Sequence, residues 1–216
     1  MRTAQTLQYQ VQEDLTDCGL IALGWFAEEN GHQSLLIGNL GGSHWNAFKS
    51  SNFFDDGNAD PMNRWTQAML SPVADKHRCE VRYPFGEKLW PFQKWTAAAM
   101  GIRPSPIGLF IHPNYGLWVA LRGALVFSYD FEIPNPEPAE HPCETCSDKP
   151  CLVSCPVSAF SSDGFDVASC RKFVSSTEGE NCRYNGCLAR LSCPVGQEFA
   201  YDSDQQAFHM AAFYSA

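Results

Sequence analysis

No stretch of the 216-residue sequence approaches the roughly 18–20 consecutive apolar residues of a membrane-spanning helix, which argues against a helical integral membrane protein. The first ten residues, Met1 to Gln10, hold no hydrophobic stretch, so no signal peptide is expected. Basic side chains are few, 15 Lys and Arg against 24 Asp and Glu, for a formal charge of −9. Such a surface repels phosphate backbones and anionic lipid, so neither nucleic acid nor a membrane is an expected partner. Charged residues at 18% with hydrophobic ones at 44% exclude a disordered polymer. What is abundant is cysteine. Ten in a chain with no expected export signal point to cytoplasmic thiol or metal chemistry more than to disulfides.

The cysteines are unevenly placed. Cys18 and Cys79 stand alone, whereas Cys143, Cys146, Cys151, Cys155, Cys170, Cys182, Cys187 and Cys193 crowd one segment. Charge divides near the same place: residues 1–129 carry 10 basic and 11 acidic side chains, residues 130–216 carry 5 and 13. Between them runs Pro134-Asn135-Pro136-Glu137-Pro138-Ala139-Glu140-His141-Pro142, whose four prolines favour an extended connector. Two modules are therefore expected, 1–133 and 134–216.

The first module reads as mixed α/β. Thr6 to Glu13 predicts a short helix, and Leu20 to Phe26 and Leu35 to Ile37 predict buried strands. A helix carrying Trp45 and Phe48 follows, then one opened by Pro61 and running through Leu70. Cys79 to Tyr83 predicts a strand and Phe92 to Met100 a helix. Ile107 to Ile111 and Leu117 to Phe127 predict two strands joined by the turn His112-Pro113-Asn114-Tyr115-Gly116.

In the second module, Cys143-x2-Cys146-x4-Cys151-x3-Cys155-Pro156 is close to the ferredoxin cluster pattern, with x4 where that pattern has x2. Thiolates are soft anionic ligands, close spacing wraps one loop around a cluster face, and the proline ends the turn. Cys170 and then Cys182-x4-Cys187-x5-Cys193-Pro194 supply four more. Eight cysteines and two Cys-Pro pairs match two [4Fe–4S] clusters. In two-cluster ferredoxins the cysteine of each Cys-Pro pair ligates the other cluster. The expected sets are therefore Cys143, Cys146, Cys151 and Cys193 on one, and Cys155, Cys170, Cys182 and Cys187 on the other. Two structural zincs also use eight thiolates, and a disulfide framework is a further alternative. Cys18 and Cys79, in apolar surroundings, are expected to be inert buried thiols. Each oxidised core brings formally +2 against four thiolates, so a loaded chain would carry about −13.

The stretch Ser105-Pro106-Ile107-Gly108-Leu109-Phe110-Ile111-His112-Pro113-Asn114-Tyr115-Gly116-Leu117-Trp118-Val119-Ala120-Leu121-Arg122-Gly123 resembles the signature of the methylmalonic aciduria and homocystinuria type C family. Gly24-Trp25-Phe26, Leu35 through Phe48, and Trp95 to Ala98 are similar to that family in order and character. These are cobalamin-processing proteins on a nitroreductase-like fold. Joined to a dicluster module, the arrangement also resembles the epoxyqueuosine reductases and corrinoid-dependent reductive dehalogenases. The resemblance implies an α/β (α+β) chain with a nitroreductase-like corrinoid-binding module and a C-terminal ferredoxin-like domain. It implies that Gly108, Ile111, His112, Pro113, Asn114, Tyr115, Gly116 and Trp118 line a corrinoid, with Gly108 admitting close approach of the macrocycle. It implies that Arg122 meets a carboxylate or corrin amide. The family's helix carries a histidine near the corrinoid where this chain has Ala99.

The expected function is that of an iron–sulfur oxidoreductase. It passes electrons from a soluble donor of ferredoxin or flavodoxin type to a cobalamin and reductively removes the upper axial ligand. The alternative is a non-catalytic dicluster electron carrier; an epoxyqueuosine reductase-like enzyme is disfavoured by the acidic second module, and no strong flavin-phosphate motif is present.

Overall fold

A computed structural model describes residues 3–129, 131–136 and 139–215. The chain forms two compact units. One comprises Met1–Ile102 and Ala120–Ala139, the other Arg103–Val119 and Glu140–Ala216. Both mix helix and strand, so the chain is mixed α/β.

Helix α1 (Ala4–Leu15) opens the first unit. The Thr3 hydroxyl caps it by accepting the Thr6 N–H at 3.2 Å, and Ala4, Leu7, Val11 and Leu15 are buried along one face. Strands β1 (Ile21–Ala27) and β2 (Gln33–Leu40) pair antiparallel, from Ile21 opposite Gly38 to Ala27 opposite Gln33, with a bulge between Ala22 and Gly24. Short α2 (Trp45–Lys49) follows, then α3 (Pro61–His77). Helix α3 starts at the expected proline but continues past Leu70, through Pro72, until Arg78 turns left-handed. Strand β3 (Glu80–Arg82) and α4 (Phe92–Met100) come next. The chain then forms a small ribbon of the second unit, β4 (Arg103–Pro104) and β5 (Phe110–Ile111), before β6 (Val119–Phe127). The first unit's sheet has the order β1-β2-β6-β3.

Aromatic packing holds α4 on this sheet. Phe26, Leu36, Phe92, Trp95, Ala99 and Ala124 form one buried cluster, in which Phe26 stacks on Trp95 with ring centroids 5.0 Å apart. Burial of such side chains contributes roughly 1.5–3 kcal/mol each. Gly24 lets the helix lie close: a Cβ there would stand 2.3 Å from the Ala99 carbonyl oxygen.

The second unit consists of short elements. After the ribbon come α5 (Pro142–Thr145), α6 (Pro150–Val153), and the two-residue strands β7 (Phe160–Ser161) and β8 (Gly164–Phe165). Helices α7 (Val167–Val174), α8 (Glu180–Asn185) and α9 (Leu188–Leu191) follow, and α10 (Ser203–Ser215) packs against α7 and α8. Its core is built on cysteine, since Ile107, Ile111, Leu117, Cys151, Ala189 and Cys193 are buried together.

Two differences from the sequence reading bear on function. The stretch 103–119, expected in the first module, belongs to the compact unit that holds the eight clustered cysteines. Of the strand expected over Ile107 to Ile111, only Phe110 and Ile111 pair, with Arg103 and Pro104 opposite them. The reason is local. Ser105-Pro106-Ile107-Gly108 is a β-turn closed by the Gly108 N–H donating to the Ser105 carbonyl at 2.9 Å.

Candidate metal centres

Four cysteines from three separate places surround one cavity. Cys143 lies in the first turn of α5, where Pro142 starts the helix and the His141 ring accepts the Cys143 N–H at 3.2 Å. Cys146 caps the same helix, Cys151 follows Pro150 in α6, and Cys193 precedes Pro194 beyond α9. All four line a cavity with Ser105, Ile111, Leu117, Lys149, Pro194 and Val195 among its walls. The remaining four line a second cavity. Cys155 precedes Pro156, Cys170 sits on α7, Cys182 on α8, and Cys187 is the N-cap of α9. Asp166 starts α7 beneath Cys170, its carboxylate accepting the Ser169 N–H at 3.0 Å and the Ser169 hydroxyl at 2.6 Å. The two sets are brought together because α6, which holds Cys151 and is followed by Cys155, packs against α9, flanked by Cys187 and Cys193.

The thiols feel one another within each set. Burial pushes the Cys143 thiol up, the Lys149 ammonium opposes that, and Cys193, Cys151 and Cys146 add to the rise. Cys151 is raised by burial and then by Cys193 and Cys146. In the other set Cys170 is pushed up to about 11, by burial first and then by Cys187, Cys155 and Cys182. A bound cation reverses this, since a coordinating thiol is deprotonated outright.

The walls suit buried sulfur anions. The Ala159 N–H donates to Cys155 Sγ at 3.3 Å, and the backbone amides of Leu188, of Arg190 and Ala189, and of Val195 oppose the rise that burial gives the Cys182, Cys187 and Cys193 thiols. Each cavity also has one cation. Lys149 donates from Nζ to the Cys143 carbonyl. Arg190 donates to the Leu117 carbonyl at 2.7 Å and lies over the rings of Trp118 (4.3 Å) and Tyr201 (4.6 Å). Both cations come from the enlarged gaps of the motif. Lys149 adopts a left-handed φ of 42° in the Cys146–Cys151 gap, and Arg190 sits on the single turn of α9 between Cys187 and Cys193. Spacing alone did not single them out; a cation inside each over-long gap was the available signal.

The cavities differ in size. The first has about 20 Å³ free between its walls, and the second about 270 Å³ with a more open, apolar mouth that includes Leu109, Phe165 and Phe213. Among the described residues, no three His, Cys, Asp or Glu side chains converge closely enough to hold a single metal ion. The quartets ring a space instead. Their donor set, all thiol with N–H groups aimed at sulfur, fits an iron–sulfur cluster better than a one-ion site.

The residues expected at a corrinoid fall in both units. Arg122 is on β6 in the first unit, where its Nε donates to Asn39 Oδ1 at 3.2 Å and a terminal nitrogen lies 3.4 Å from His44 Nε2. The other eight belong to the second unit. Gly108 has a φ of +80°, and a Cβ there would meet nothing within 4 Å, so backbone conformation and not crowding within the chain calls for glycine. Ile111 and Trp118 are buried, Pro113 is half-buried, and Asn114 is exposed. His112 Nδ1 accepts the Asn114 and Tyr115 N–H groups at 3.1 and 3.3 Å, and burial lowers its pKa. Tyr115 packs on Phe199 with centroids 4.4 Å apart. Ala99, where the resembling family has histidine, lies on the buried face of α4 in the first unit.

Cys18 and Cys79 join neither set. Cys18 is buried and donates from Sγ to the Leu15 carbonyl at 3.1 Å, and burial pushes the Cys79 thiol up to about 12. None of the ten cysteines is in a disulfide. Among the described residues no helix is long and apolar enough to cross a membrane. No protein-family model matches the chain, and no curated protein matches its sequence significantly.

Proposed function

We propose that the chain is an electron-transfer protein whose second unit holds two [4Fe–4S] clusters and that it delivers electrons to a corrinoid, removing the corrinoid's upper axial ligand as the cobalt is reduced. The observation that carries the reading is the division of eight cysteines into two four-thiol cavities with the Cys-Pro cysteines exchanged. Cys143, Cys146, Cys151 and Cys193 hold one cluster, and Cys155, Cys170, Cys182 and Cys187 the other. The clusters supply one-electron transfer. The chain supplies burial, N–H groups that steady sulfur charge, and one cation per site. The corrinoid acceptor rests on the resemblance of residues 105–123.

A second reading, a dicluster electron carrier without corrinoid chemistry, is favoured by a different observation. Ile111, Gly116 and Trp118, expected at the corrinoid, are buried within the cysteine-bearing unit itself. Two measurements on anaerobically purified protein separate the possibilities. About eight irons with matching sulfide per chain supports the cluster reading; two zincs and no sulfide overturns it. Stoichiometric binding of cyano- or alkylcobalamin with a shift to a base-off spectrum supports the corrinoid acceptor, and no binding leaves the carrier.

A further inference from the structure

The cavity of Cys143, Cys146, Cys151 and Cys193 contains one polar side chain that its surroundings do not account for. Ser105 is only 8% exposed, lines that cavity, and its hydroxyl has no hydrogen-bond partner in the described structure. Its backbone is fully used: the N–H donates to the Leu109 carbonyl at 2.7 Å, and the carbonyl accepts from Gly108. Serine at the first position of a β-turn commonly hydrogen-bonds with its side chain to the turn's own backbone; Ser105 does not. Around it the wall is apolar, with Ile111, Leu117 and Val195, and the Lys149 ammonium is engaged by the Cys143 carbonyl. A buried hydroxyl with no acceptor is unfavourable unless something fills the cavity that can accept.

We propose that the Ser105 hydroxyl donates a hydrogen bond to a sulfur of the cluster held by Cys143, Cys146, Cys151 and Cys193 and thereby raises that cluster's reduction potential. This rests on the two-cluster reading above. A donated hydrogen bond stabilises the more negative, reduced core over the oxidised one, so it shifts the potential upward. The second cavity has no hydroxyl side chain on its wall. Ser105 therefore gives the first site a hydroxyl donor that the second lacks.

The test is a potentiometric titration, followed by electron paramagnetic resonance, of fully loaded wild type, Ser105→Ala and Ser105→Thr. In Ser105→Ala, one of the two clusters becomes harder to reduce by about tenfold in its equilibrium, 59 mV for one electron. The other cluster is unchanged, and Ser105→Thr, which keeps the hydroxyl, shifts less. The apo form of Ser105→Ala melts no lower than apo wild type, because it loses an unpartnered group. Unchanged potentials for both clusters in Ser105→Ala, with iron and sulfide at wild-type content, overturn the role of Ser105 alone. Wild-type protein that takes up no iron and sulfide overturns it together with the cluster reading.

Discussion

Gly116 and Gly196 meet backbone to backbone. A Cβ on Gly116 would stand 1.9 Å from the Val195 carbonyl oxygen, and a Cβ on Gly196 would stand 2.5 Å from the Tyr115 carbonyl carbon. Both have positive φ, +53° and +68°. The tight turn His112–Gly116 is thus clamped onto the turn after Cys193-Pro194, and that clamp positions the cysteine farthest in sequence from the rest of the first set.

Alanine at either glycine should dislodge Cys193. Gly116→Ala and Gly196→Ala are each expected to cost about 3 kcal/mol or more, combining collision with backbone and an unfavourable φ. Iron content should fall toward half. Gly31→Ala is the control, because Gly31 has a φ of +87° with nothing within 4 Å of its Cβ. It should show only the conformational cost, about 1–2 kcal/mol, and full iron. Equal iron loss in all three variants would refute a specific clamp.

Exchange of the Cys-Pro cysteines predicts a pattern of non-additivity. Cys193→Ala and Cys146→Ala each deplete the first cluster, and their combination loses no more iron than either alone. Cys193→Ala combined with Cys187→Ala empties both sites. Iron analysis and visible absorbance distinguish these outcomes, and a pairing by sequence neighbours reverses them.

Cys18 and Cys79 should be dispensable for metal. The double variant Cys18→Ala/Cys79→Ala is expected to bind wild-type amounts of iron and sulfide. Alkylation of Cys79 at pH 8 should be slow, since a thiol with pKa about 12 is ionised only about one part in ten thousand. Rapid labelling of Cys79 in folded protein contradicts this.

Acid should weaken the first unit through Asp14. Its carboxylate accepts from Lys76 Nζ at 2.5 Å and lies 2.8 Å from His77 Nε2, tying α1 to α3. Lys76 first, and then His77, hold its pKa below the ordinary carboxylate value. A group whose folded pKa is depressed stabilises fully above its unfolded pKa, about 3.9. That contribution is lost as pH falls from there through the lower folded value. Asp14→Asn should cost about 1 kcal/mol at neutral pH and flatten this part of the stability–pH curve, measured by denaturant unfolding. Wild type and variant with parallel curves below pH 5 would exclude the role.

Helix starts and the cysteine inventory were legible because they are short-range. Pro61 at the first turn of α3, the apolar face of α1 and the Cys-Pro pairs all act over a few residues. The strand expected at 107–111 was obscured by turn chemistry, since Ser105-Pro106-Ile107-Gly108 closes on itself before Phe110 can pair. The division near the proline-rich connector reflected composition, whereas compactness depends on which backbones approach one another.

By itself, the sequence determined the chemistry available: eight thiols in one acidic segment, two Cys-Pro turns, and over-long gaps that carry Lys149, Arg183 and Arg190. It raised the exchanged pairing as an expectation but could not decide it, because Cys143 and Cys193 are fifty residues apart and no local preference joins them. Tertiary structure decided that Cys193 lines the Cys143 cavity, through α6 against α9 and through two facing glycines. It also decided that residues 103–119 build the cysteine-bearing unit and that the Ser105 hydroxyl lines one of its two cavities. Spacing governs what a loop can wrap; only packing governs which loops share a space.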